Sequence, residues 1–149
     1  MKAAYLATAM VLMTVGTAVA QQASTATGLS VRVSQGQAEN LLRTYLRSQG
    51  YDTKAAPLDI EWSNSRPGSE FYLFAVYVDT PERLVHIGSY GVASGTGDVW
   101  DLAECKRISS TAIAAEQKQI HEKNRLSPAD LAHLRRAQLP QLRKEDACL

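Results

Sequence analysis

Residues 88–101, with the sequence GSYGVASGTGDVWD, contain four of the nine glycines of this 149-residue chain. A dinucleotide-binding loop needs a third glycine where Trp100 stands, and the loop must open a helix. A phosphate-binding loop needs a following lysine, which is also missing. A β-hairpin explains the stretch better, because Gly95 and Gly97 can adopt the positive φ of a tight turn. The stretch therefore predicts two antiparallel strands and no cofactor.

The segments around this hairpin predict a small antiparallel sheet. Residues 58–63 alternate between apolar and polar side chains, which is typical of a half-buried strand. Residues 70–79 are apolar on both faces and predict a central strand. Residues 84–93 and 98–102 are the two strands of the hairpin itself. Four strands joined by short turns predict a meander sheet.

Helices are predicted on both sides of the sheet segments. The first begins at Ser34, where Gln37 completes a capping box, and ends at Gly50. Its apolar side chains recur at helical spacing: Ala38, Leu41, Leu42, Tyr45 and Leu46. The second helix is predicted over Thr111–Asn124. The third has Ser127 as its cap and is expected to end at Pro140, since proline disrupts helix interiors. The predicted fold is α+β: an N-terminal helix on a four-stranded antiparallel meander, followed by two C-terminal helices.

The N-terminus predicts export. Lys2 precedes a short apolar run that ends in Ala18-Val19-Ala20, the pattern of a secretory signal peptide cleaved between Ala20 and Gln21. The run is too short for a bilayer-spanning anchor. We expect residues 1–20 to be the signal, 21–30 a flexible leader and 31–149 a single domain, located in the periplasm or secreted.

The charge and the cysteines of the chain indicate which kinds of partner, disulfide and metal site to expect. Without Lys2 the chain has 15 basic and 15 acidic side chains, a balance that argues against nucleic acid as a partner. Cys105 and Cys148 are the only cysteines, and an even number in an oxidising compartment favours a disulfide between them. Their spacing and the scattered histidines fit no metal site.

The two halves of the chain differ in charge. Residues 58–104 contain eight acidic and two basic side chains, whereas residues 105–149 contain five acidic and nine basic ones. One interpretation is that the basic helices dock on the acidic sheet and form ion pairs at its rim, which contribute little to stability. The other is a polarised surface that steers association with an oppositely charged protein.

The hairpin, together with the helix opening at Ser34 and Gln37, resembles PepSY-type domains over about residues 33–101. In those domains an aromatic-rich strand turns through a Thr-Gly pair into a Gly-x-Val-aromatic strand. The resemblance implies a small exported module associated with peptidase inhibition or binding at the cell envelope. Cys105 and the two C-terminal helices depart from that pattern. In size and export signal the chain is also similar to periplasmic immunity proteins, which neutralise toxins that attack the cell wall or membrane.

No catalytic set of residues emerges from the sequence. Asp59, Glu61, Asp98 and Asp101 alternate with apolar residues, and we expect them on a solvated sheet face rather than in a cleft. His86 is predicted on the same side of its strand as Tyr90 and Val92, without a matched nucleophile. His121 and His133 are expected on the surface. We therefore predict that the chain is not an enzyme.

Two classes of function remain open. The first is an inhibitor or immunity protein that binds another protein. The second is a PepSY-like structural or ligand-binding protein of the envelope. Aromatic side chains suit interface centres, and a Ser-Gly pair on a hairpin is similar to the loop that lysozyme inhibitors insert into their target. The predicted binding residues are Tyr72, Tyr77, Tyr90, Ser94, Gly95 and Trp100.

Overall fold

The computed structural model describes residues 32–63, 69–145 and 147–148. The predicted signal peptide, its cleavage site between Ala20 and Gln21, and the leader at 21–30 lie outside the described residues. Among the described residues, none of the helices has the length and apolar content needed to span a bilayer.

The architecture is α+β, as predicted. The elements in chain order are α1 (Gln35–Ser48), β1 (Leu58–Ser63), β2 (Phe71–Asp79), β3 (Leu84–Ala93), β4 (Val99–Asp101), β5 (Lys106–Arg107), α2 (Thr111–Lys123) and α3 (Pro128–Lys144). The strands form one antiparallel sheet in the order β1-β2-β3-β4-β5. The sequence predicted four strands, because the two charged residues of β5 carry no strand signal of their own.

Helix α1 forms as its sequence predicts. The Ser34 side chain accepts a hydrogen bond from the Gln37 backbone, and the Gln37 side chain accepts one from the Ser34 backbone. The buried residues on its inner stripe are Ala38, Leu41, Leu42 and Leu46. Burying a leucine fully contributes about 1.5–3 kcal/mol, so this stripe fixes the helix to the sheet. Gly50 follows the helix with φ +89°, which a glycine adopts without strain.

The core has two parts, one on each face of the sheet. Leu42 of α1 and Ile113 of α2 pack with Phe74 of β2 in the first part. Phe71 of β2 and Leu142 of α3 belong to the second part. Strand β2 thus has apolar side chains on both faces, as predicted for a central strand, and the molecule has helices on both sides of the sheet.

The predicted end of α3 at Pro140 is wrong. The helix continues through Pro140 to Lys144, although an interior proline costs about 3 kcal/mol. Leu142 is fully buried beyond the proline, and Leu139 packs against the same part of the core. This packing offsets the lost hydrogen bond and keeps the last turn helical. The cap at the other end is Ser127, as predicted, and Asp130 completes a capping box with it.

Candidate functional site

The turn of the β3–β4 hairpin is buried, which corrects the prediction of Ser94 and Gly95 as binding residues. Ser94 has only 5% of its surface exposed, and Gly95 is half-buried. The Ser94 backbone donates a hydrogen bond to the Glu70 carbonyl at 2.8 Å and accepts one from the Val33 N–H at 2.7 Å. Gly95 lines a small cavity of about 100 Å³ behind the turn. Neither residue can act as a protruding recognition loop in this arrangement.

A buried carboxylate holds this turn in place. Asp98 is fully buried rather than solvated, which corrects the sequence prediction. Arg135 of α3 binds both of its oxygens, at 3.1 and 3.0 Å, and Arg107 of β5 lies 3.3 Å from Oδ1. Thr96 and Gln138 donate further hydrogen bonds to Oδ2, at 2.8 and 3.1 Å. The docking of basic helices on the acidic sheet therefore includes an ion pair whose carboxylate is fully buried and whose arginine is partly exposed.

The pKa of Asp98 is lowered by this environment. Burial, the largest single influence, raises the pKa, but the hydrogen bonds and charge of Arg135, with the hydrogen bonds from Thr96 and Gln138, lower it by more. The carboxylate is therefore ionised inside the protein and serves as a fixed attachment point for the C-terminal helices.

Helix α2 also contacts the turn. His121 Nε2 lies 2.9 Å from the Thr96 carbonyl oxygen, and the Gln117 side chain donates to the Gly97 carbonyl at 3.0 Å. His121 is therefore partly buried and structural, whereas the sequence placed it on the surface. His133 is exposed on α3, as predicted.

Three of the four predicted aromatic anchors are internal contacts. Trp100 has 6% of its surface exposed, and its Nε1 donates to Gln138 Oε1 at 3.0 Å. Tyr90 is buried, and its ring packs edge to face against Tyr45 with 6.3 Å between the centroids. Its burial, and to a smaller extent the negative charge of Asp101, raises the pKa of Tyr90 to about 12. The half-buried Tyr72 donates its hydroxyl to the Val33 carbonyl at 2.9 Å. Tyr90 and Trp100 are core residues, which corrects their assignment as exposed anchors.

Of the four predicted anchors, Tyr77 alone lies outside both parts of the core, and a β-bulge gives it a neighbour. The pairing of β2 with β3 shifts between Val76 and Tyr77, so Tyr77 pairs with His86 and Ile87 is the extra residue. The two rings lie 5.2 Å apart between centroids. Side chains along a strand alternate between the two faces of the sheet, and one extra residue inverts this alternation. His86 therefore lies on the face opposite Tyr90, which corrects the predicted side.

The side of the sheet that faces α3 is only partly covered. We call its uncovered part the open face, on strands β1, β2 and β3. Cross-strand pairs place eight side chains on it: Asp59, Glu61, Ala75, Tyr77, Asp79, Leu84, His86 and Ser89. Asp59, Glu61 and Asp79 are exposed, and Leu84 has 48% of its surface exposed. A groove of about 510 Å³ runs from this face to the C-terminal segment, between Leu73, Ala75, Leu102 and Ala147.

The open face is acidic. Strands β1 to β3 contain three carboxylates, Asp59, Glu61 and Asp79, and no lysine or arginine. Cross-strand pairing puts all three carboxylates on the open face. Among the described residues none of them forms an ion pair, in contrast to Asp52 and Asp98, which are each bound by two arginines. The negative charge is therefore available to a partner.

A serine and a histidine meet on the open face, a contact that the sequence analysis missed. Ser89 Oγ lies 3.4 Å from His86 Nε2. A nucleophilic serine also needs a group that orients the histidine and donors for an oxyanion. Within the described residues, no carboxylate hydrogen-bonds to His86. The pair suits hydrogen bonding to a ligand. Among the described residues, no group of three or more His, Cys, Asp or Glu side chains is placed to hold a metal ion.

The two cysteines lie against each other. Cys148 is buried beside Trp100 and Leu142, and Cys105 packs against the same cluster. Burial, and then a hydrogen bond with Cys105, raises the pKa of the Cys148 thiol to about 12. The structure has no covalent bond between them. The disulfide stays a prediction, and the contact places both partners for it.

Comparison with known proteins gives one informative likeness. No family model and no curated protein matches the chain, so the resemblance to PepSY-type domains is not confirmed. The chain is similar to a component of a type VI secretion system effector-immunity complex from Pseudomonas protegens, with 25% sequence identity and a TM-score of 0.56. The match covers 70% of this chain and 88% of that one. The fold described here is therefore similar to that of a protein solved in complex with a protein partner.

Proposed function

We propose that the chain is an exported immunity protein, or inhibitor, that binds and neutralises a toxin or enzyme acting at the cell envelope. The likeness to a component of an effector-immunity complex carries this proposal, since it extends over 88% of that component. The signal sequence MKAAYLATAMVLMTVGTAVA supports an envelope location. The protein acts by binding and not by catalysis.

The open face supports this function. Its carboxylates have no partner among the described residues, and its apolar groove is accessible from solvent. Unpaired charges around an apolar centre are typical of protein recognition, where the charges speed association and the apolar centre supplies affinity.

The groove also favours the second candidate, a ligand-binding protein of the envelope. It has room for a small apolar molecule, at about 510 Å³. Native mass spectrometry of the purified chain distinguishes the two: a co-purified small molecule supports the ligand-binding protein.

The test begins with capture of a partner from the source cells by the tagged mature chain, after crosslinking. The captured protein is then expressed in the periplasm of a susceptible host, alone and together with the full chain. We expect growth arrest in the first case and normal growth in the second. The matched control is the chain without residues 1–20, which should stay in the cytoplasm and fail to protect. A captured protein that is harmless, or growth arrest that the full chain does not relieve, would contradict the proposed function.

A further inference from the structure

We propose that the open face is the partner-binding surface, and that it binds a basic segment of the partner that carries arginine or lysine next to an apolar side chain. The proposal rests on the proposed function for the identity of the partner as a toxin. The chemistry of the segment follows from the open face alone.

The first argument is charge complementarity. Asp59 and Glu61 are two residues apart on β1 and on the same face, which places them about 7 Å from each other. Asp79 adds a third carboxylate at the end of β2, where it pairs with Leu84. These like charges repel one another, and no cation of the described residues forms an ion pair with them. A basic segment would remove this repulsion on binding, whereas an acidic one would increase it.

The second argument is the aromatic pair. Tyr77 is directly opposite Asp59 on the neighbouring strand, so their Cβ atoms lie about 5 Å apart. The His86 ring supports Tyr77 from the other side. The flat guanidinium group of an arginine can stack on a tyrosine ring. At the same time, the N–H groups along its edge can donate hydrogen bonds to a carboxylate. Tyr77 and Asp59 together therefore provide both contacts that an arginine side chain uses.

The third argument is the groove beside this pair. Ala75 separates Tyr77 from Leu73 along β2, and the small side chain leaves room above the sheet. Ala147 of the C-terminal segment forms the opposite wall. An apolar side chain two residues from the bound arginine in an extended segment reaches this position, because both then point to the same side.

The other surfaces lack this combination. The β3–β4 turn is buried beneath α2 and α3. The depression between α1 and α2 is lined by Arg47 and Lys123 together with Glu116, so it has no single sign of charge. Of these three surfaces, only the open face joins unpaired carboxylates, a partly exposed aromatic ring and an apolar groove.

The chemistry can be tested first with defined peptides. The probes are acetyl-Arg-Leu-Arg-Leu-Arg-amide and its counterpart with glutamate in place of arginine, titrated into the isotope-labelled mature chain. We expect the basic peptide to shift the methyl signals of Leu73, Ala75 and Leu84, and the acidic peptide to leave them unchanged. Equal shifts with both peptides, or shifts confined to other surfaces, would overturn the proposal.

The captured partner provides the second test. Tyr77→Ala should weaken its Kd about 30-fold, as loss of an interface hot spot does, while Tyr51→Ala, at an exposed position beyond the end of α1, should leave it unchanged. Glu61→Gln should slow association and reduce its salt dependence, whereas the exposed Glu122→Gln on α2 should do neither.

The two proposals can fail separately. If the partner is neutralised but Tyr77→Ala and Glu61→Gln bind like their controls, the binding surface is wrong and the proposed function stands. If Tyr77→Ala abolishes binding to a partner that is not a toxin, the surface stands and the proposed function is wrong. Thermal denaturation of each variant checks that the fold is intact.

Discussion

Arg135 of α3 binds Asp98 of the hairpin through two nitrogens, with Nε 3.1 Å from Oδ2 and Nη2 3.0 Å from Oδ1. The two residues are 37 positions apart in the chain, and the carboxylate is fully buried. This contact joins the C-terminal helix to the turn of the β3–β4 hairpin. The stability of the whole C-terminal layer should therefore depend on it.

Loss of the arginine should destabilise the protein. In Arg135→Met the carboxylate of Asp98 stays buried with only Arg107 to compensate it, so we expect the free energy of unfolding to fall by about 3 kcal/mol. Arg136→Met, at the exposed neighbouring position, is the matched control and should change it by less than about 0.5 kcal/mol. Urea denaturation of both variants measures the difference. Equal stabilities would mean that the ion pair contributes nothing.

The lowered pKa of Asp98 predicts how stability depends on pH. In the unfolded chain the Asp98 carboxylate has its ordinary pKa of 3.8, and in the folded chain it is protonated only at lower pH. The stabilisation is therefore complete above the ordinary value and is lost as the pH falls through the folded pKa. Asp98→Asn should be less stable than the wild type at neutral pH and should approach it in acid. Denaturation curves between about pH 2 and pH 7 test this, and a constant gap across that range would refute it.

The two glycines of the turn should respond differently to the same substitution. Gly97 has φ +69°, and an added Cβ would lie 2.9 Å from Ile120 Cδ1 and 3.2 Å from Leu41 Cδ1. Gly97→Ala should therefore lower the free energy of unfolding by about 2 kcal/mol or more. At Gly95 an added Cβ meets nothing within 4 Å, so Gly95→Ala should have little effect. Thermal unfolding of both variants is the measurement, and a larger effect at Gly95 would contradict the turn geometry.

We predict that Cys105 and Cys148 form a disulfide in the periplasm, with their two electrons passing to a thiol oxidant of that compartment. A buried thiol with a raised pKa reacts slowly, so the bridge should form during folding. Non-reducing intact mass should be two hydrogens lower than that of the reduced protein. The bridge would contribute about 4 kcal/mol by the chain-entropy estimate, and Cys148→Ala should lower stability without abolishing the fold. Two thiols titrating in the unfolded, unreduced protein would rule it out.

The proposed export predicts the N-terminus of the mature protein. Cleavage after Ala18-Val19-Ala20 should leave Gln21 as the first residue. Intact-mass measurement of periplasmic protein checks this, and replacing Ala20 by a bulky residue should slow the processing. Retention of residues 1–20, or an added lipid mass, would contradict the prediction.

Local signals explain what the sequence predicted correctly. The capping boxes at Ser34 and Ser127 involve residues three positions apart, and the apolar stripe of α1 repeats within one helix. Such patterns depend only on neighbours in the chain. The element order and the α+β class follow from them.

Long-range contacts explain what it missed. The burial of Asp98 depends on Arg135, and the continuation of α3 past Pro140 depends on the core around Leu142. Neither partner is visible from the local pattern. The exposure of aromatic residues likewise depends on which helix covers which face, so the sequence identified Tyr77 as a candidate but could not separate it from Tyr90 and Trp100.

The bulge at Ile87 has a consequence for how this protein can change over evolutionary time. It divides β3 into two halves that have different registers with β2. The inner half carries Tyr90 and Val92 in the core, and the outer half carries His86 and Leu84 on the open face. Losing or adding one residue at that point would turn every side chain of the outer half to the other face of the sheet, so the bulge should be retained. Lineages that follow a changing partner should therefore remodel the outer half by substitution at constant length, while the inner half keeps its ancestral packing.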